Sequence, residues 1–109
     1  AATARWLRAM KNVVSTKTVR AAREALVRGV LTPEDTDLAR KGLSHVLNWE
    51  YRCMTELMQK RPTPDVEFGL AHRDYRASIL EHALISLESK STTVREERFK
   101  LALWAMPNP

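Results

Sequence analysis

A chain of 109 residues has room for one compact domain, since an independently folding unit usually takes roughly 100–150 residues to bury an adequate core. Hydrophobic residues make up 44% and charged residues 28%, which excludes the polar, aromatic-poor composition of a disordered chain. The single cysteine, Cys53, excludes an intrachain disulfide framework and multi-cysteine zinc sites, and suggests a cytoplasmic or other reducing intracellular compartment.

Apolar residues recur at spacings of three and four, no stretch alternates with period two, and only three glycines and five prolines interrupt the pattern. The expected fold is all-α: a single domain over residues 1–109, a five-helix bundle built on a long antiparallel helical hairpin. No apolar run approaches the ~20 residues of a spanning helix, so no membrane span is expected.

In chain order, residues 2–14 form a short amphipathic helix with Trp6, Leu7, Met10, Val13 and Val14 on one face and Arg5, Arg8 and Lys11 on the other. Ser15 or Thr16 then caps a second helix to about residue 30, burying Val19, Ala22, Leu26 and Val30, with Gly29 loosening its end. Together residues 1–31 make a basic two-helix segment.

Residues 32–89 make the hairpin. Thr32-Pro33-Glu34-Asp35 supplies a capping hydroxyl, a proline at the first helical position and two acids at the positive end of the helix dipole. The helix runs over 33–60 with Leu38, Leu43, Val46, Leu47, Tyr51, Met54, Leu57 and Met58 on its stripe. Gly42 is its weak point, costing roughly 1 kcal/mol relative to alanine, so a kink or a division into two helices is open there. Arg61-Pro62-Thr63-Pro64-Asp65 repeats the start signal, and the returning helix, 64–89, should bury Phe68, Ala71, Tyr75, Ile79, Ala83 and Leu87.

Residues 90–109 carry the last helix. Ser91-Thr92-Thr93 offers caps, Thr93 and Glu96 fit a capping box, and Pro107 stops the helix after Met106. Phe99, Leu101, Leu103, Trp104 and Met106 cannot share one narrow face, so this end is either inserted between other helices or pressed against a partner.

Charge is the strongest functional signal. The first 28 residues hold Arg5, Arg8, Lys11, Lys17, Arg20, Arg23 and Arg28 against Glu24 alone, a net +6, while the remaining 81 residues net −1. Steps of three along two helices would gather these cations into one surface able to neutralise phosphates. The leading expectation is a non-enzymatic accessory protein that holds the RNA or DNA backbone through these seven residues, without sequence preference and in a salt-dependent way. The alternative is a helical protein-interaction or self-assembly module, with a homo-oligomer or helical partner on Trp49, Phe99, Leu103, Trp104 and Met106. Trp49 lies off its helix's main stripe and is exposed unless a third helix covers it.

Catalytic and cofactor signals are thin. His45, His72 and His82 include no pair at i, i+4 and none follows a glutamate by three, so the di-iron helical-bundle motif is missing. The glycines form no phosphate loop, and no nucleophile, base and oxyanion set is legible. No cofactor, no metal site and no enzymatic activity are expected.

Overall fold

The computed structural model describes residues 15–109. The helix expected over 2–14, with Arg5, Arg8 and Lys11, lies outside the described residues. Among those residues there are four helices and no strand: α1 (Thr16–Val27), α2 (Pro33–Met58), α3 (Pro64–Ser86) and α4 (Thr92–Ala105). The all-α class and the hairpin agree with the spacing, whereas the described residues hold four helices and not the five expected of the chain.

Each helix starts where a hydroxyl can accept an otherwise orphaned N–H. Ser15 accepts from the Thr18 N–H, Thr32 from Asp35, Thr63 from Val66 and Ser91 from Val94, over 3.0–3.4 Å. Pro33 and Pro64 occupy the first turns of α2 and α3, where a missing donor costs nothing. The last helix thus takes Ser91 as its cap rather than Thr93.

The helix ends fall earlier than periodicity suggests. α1 stops at Val27 because Gly29 (φ +86°) and Val30 (φ +53°) turn the chain left-handed. α3 stops at Ser86, and the Leu87 and Ser89 carbonyls accept from Arg95 Nη1 at 2.6 and 3.3 Å instead of serving a longer helix.

Gly42 does not break α2, which runs unbroken through it. A Cβ there would lie 2.1 Å from Ala22 Cβ and 3.2 Å from the Thr18 carbonyl oxygen. The glycine therefore lets α1 lie close against α2, a packing role that outweighs its poor helix propensity.

α1 packs on α2, α2 on α3 and α3 on α4, and α4 also reaches α1. Val19, Ala22 and Leu26 from α1 meet Leu43 and Val46 from α2, Leu80 and Ala83 from α3, and Phe99 and Ala102 from α4. The four helices differ in length: at ~1.5 Å per residue, α2 with 26 residues spans about 39 Å and α1 with 12 only about 18 Å. The short helices consequently cover half of the hairpin. No residue from 51 through 76 is buried.

This corrects the burial expected for Tyr51, Met58, Phe68, Ala71 and Tyr75, all of which are exposed. Their helical spacing is that of core residues, but among the described residues no third helix lies on that half. Glu50, fully buried, sits where the covered half ends. Arg73 Nη1 donates to it at 3.1 and 3.3 Å and Arg76 Nε at 3.4 Å, while Arg76 also donates to the Ala105 carbonyl at the end of α4.

Candidate functional site

The expected phosphate surface is divided by structural demands on its arginines. Arg23 Nη1 donates to the Leu103 carbonyl at 2.7 Å and to Met106 at 3.4 Å, satisfying the last turn of α4. Partial burial pulls its pKa below the usual arginine value. Arg28 forms a 2.8 Å ion pair with Asp35 across the α1–α2 turn. The hydrogen bond from Arg28 is the main reason the Asp35 carboxyl is held below the usual range, with burial working the other way. Lys17 and Arg20 are exposed on α1. Arg5, Arg8 and Lys11 lie outside the described residues.

The expected protein interface is also redistributed. Trp49, Phe99 and Met106 are buried and Leu103 is half-buried, which leaves Trp104 as the exposed one of the five expected contact residues. The reason is topological: α4 touches both α3 and α1, so two of its sides are covered. Trp104 faces outward, 55% exposed, with the Tyr75 ring set edge-on at 6.1 Å and the Arg76 guanidinium 5.7 Å from its own ring centre.

Trp104 closes a row that begins on α3. Phe68, His72 and Tyr75 are spaced by four and three, which places them on one helix face. Phe68 and His72 are stacked, with ring centres 6.3 Å apart and planes within 7°. The row therefore runs from the far end of the hairpin to the outer face of α4. Exposed carboxylates neighbour it in sequence, Glu67 before Phe68 and Asp74 before Tyr75, and the Arg76 guanidinium lies against its Trp104 end. Phe68 and Tyr75 have the spacing of core residues, and amphipathic pattern alone does not say whether a covering helix exists.

No family model matches the chain, and no curated protein or solved structure is similar enough to match it.

Burial pushes the Cys53 thiol up, which keeps it protonated and a poor nucleophile at neutral pH. Among the described residues no three His, Cys, Asp or Glu side chains cluster as metal ligands, and no helix is long and apolar enough to cross a membrane.

Proposed function

We propose that the protein is a non-enzymatic helical interaction module that self-associates through the projecting half of its hairpin. The observation that carries this reading is the stretch 51–76, where apolar residues keep core-like spacing and none is buried. Tyr51, Met58, Phe68 and Tyr75 are 40–75% exposed there. A second copy supplies the missing layer, turning two half-covered hairpins into a four-helix bundle with a two-fold axis.

Charge supports a second copy as the occupant. Arg52, Lys60, Arg61, Arg73 and Arg76 nearly balance Glu56, Asp65, Glu67 and Asp74 on this half, so two copies do not repel. The basic turn after α2, at Lys60 and Arg61, can also meet the acidic start of α3, at Asp65 and Glu67, on a symmetry mate. A single-stranded nucleic acid would instead need free cations beside the exposed rings, whereas Arg76, the cation beside Trp104, is already bound to Glu50 and to the Ala105 carbonyl.

Analytical ultracentrifugation tests the reading. The wild-type chain should sediment as a dimer, and the Met58→Glu/Phe68→Glu double variant as a monomer with unchanged helical circular dichroism. A wild-type chain that stays monomeric as its concentration is raised overturns the proposal.

The cation-rich amino-terminal stretch supports a second reading, binding of RNA or DNA backbone through Lys17 and Arg20 together with Arg5, Arg8 and Lys11. Its test is anisotropy with short single- and double-stranded oligonucleotides at two salt concentrations. Binding that falls steeply with salt and disappears when these five become glutamine supports it, and absence of binding at the lower salt removes it.

A further inference from the structure

A second apolar surface lies away from the hairpin tip. An open groove of about 620 Å³ runs between the end of α1 and α4, floored by Leu26, Phe99 and Leu103. Val27 and Leu31 stand at its edge, 73% and 82% exposed. Ordinary folding would tuck such side chains in. Leu31 is instead held out by the left-handed turn at Gly29 and Val30, a conformation a β-branched residue adopts only where its surroundings enforce it. Arg95 does the enforcing: its Nη2 donates to the Gly29 and Val30 carbonyls at 3.0 and 2.6 Å, while its Nη1 holds the end of α3.

The rim is cationic. Arg28, Arg95 and Lys100 face Glu96 around the groove, and an adjoining depression that shares Val27 and Arg28 adds Arg20 and Arg23 against Glu24. Arg28 is neutralised by Asp35, but Arg23 and Arg95 are bound to carbonyl oxygens, which carry no net charge. Neither is paired with a carboxylate among the described residues, and the Arg95 guanidinium lies 5.1 Å from the centre of the Phe99 ring in the floor, so the rim keeps a net positive charge beside an apolar surface.

We propose that this groove binds an amphipathic helix from another protein, apolar along one face and carboxylate-bearing along its edges. Helix-in-groove recognition uses apolar anchors at i, i+3, i+4 and i+7, and the rim supplies the complementary charge for the flanks. A phosphate backbone would meet the same cations but gain nothing from Val27, Leu31 and the floor. The site is separate from the self-association surface and does not depend on it.

The test is fluorescence anisotropy with two labelled helical peptides that share a leucine stripe and differ only in carrying glutamates or lysines beside it. The glutamate peptide should bind roughly tenfold more tightly than the lysine peptide, and Leu31→Asp or Lys100→Glu should each weaken it by about tenfold. Leu31 and Lys100 are exposed, so neither change removes a buried contact. The Met58→Glu/Phe68→Glu variant should bind the peptide as wild type does, which separates this site from the hairpin surface. Equal binding of the two peptides, binding unaffected by Leu31→Asp, or no binding of either overturns the proposal. Displacement of the glutamate peptide by an oligonucleotide whose own binding survives Leu31→Asp also overturns it.

Discussion

Asp35 and Glu50 are both drawn out of water, and arginine meets each of them. For Glu50, loss of the carboxylate would leave Arg73 and Arg76 facing one another at the edge of the core, which is why a buried pair is costly to break even when it adds little in the making. Asp35 gives a pH dependence with a definite sign. Its folded-state pKa lies below its unfolded value, so its contribution is present at neutral pH and is lost as the pH falls below the ordinary aspartate range. Thermal melts across the acid range should therefore show Asp35→Asn less stable than wild type at neutral pH, with the gap narrowing on acidification. An unchanged gap would mean that the pair contributes no pH-linked stability. The partners of such residues were only partly legible in the sequence. Arg28 and Asp35 are seven apart, close to a turn that could be anticipated. Arg23 to Leu103 and Arg95 to Val30 span 80 and 65 positions, and a side chain bound to a distant carbonyl leaves no local pattern.

Local signals fared best for the helices. Ser15, Thr32 and Thr63 cap where they were expected because each acts on an N–H three residues away, and Pro33 and Pro64 fix the same starts by backbone geometry. Helix ends were less legible, since Arg95 takes carbonyls from two of them. Gly42 was read as a weakness, although its meaning lies in the facing Ala22. Gly42→Ala should gain about 1 kcal/mol of helix propensity yet lose about 1–3 kcal/mol net, because the new methyl has to force α1 away from α2. Urea denaturation measures this, and adding Ala22→Gly should recover part of the loss by making room. A stabilised Gly42→Ala protein would show that the two helices move apart at no cost.

At the scale of the whole molecule, the net charge of +5 does not stand wholly on side chains free of other duties. Arg23, Arg76 and Arg95 are half-buried and spend donors on helix ends, and Arg28 is matched by an acid. Residue composition could not separate these duties from solvent-facing charge. Nor could it locate the boundary of the core, which depends on α1 and α4 being too short to follow the hairpin to its end. The layered half and the uncovered half meet at Glu50, Arg73 and Arg76, and this packing boundary should also be a boundary in local stability. Towards the tip, among the described residues, α2 and α3 are held mainly by each other, so their amides there should open without disturbing the core. Hydrogen–deuterium exchange should be slowest around Leu43, Val46 and Leu80 and fastest towards residues 58–68, with protection of the fast region rising as protein concentration is raised. Uniform exchange along the hairpin would contradict this. Local opening at the bare end would make it the first place a protease cuts, and association would then act as a guard on the chain's own lifetime.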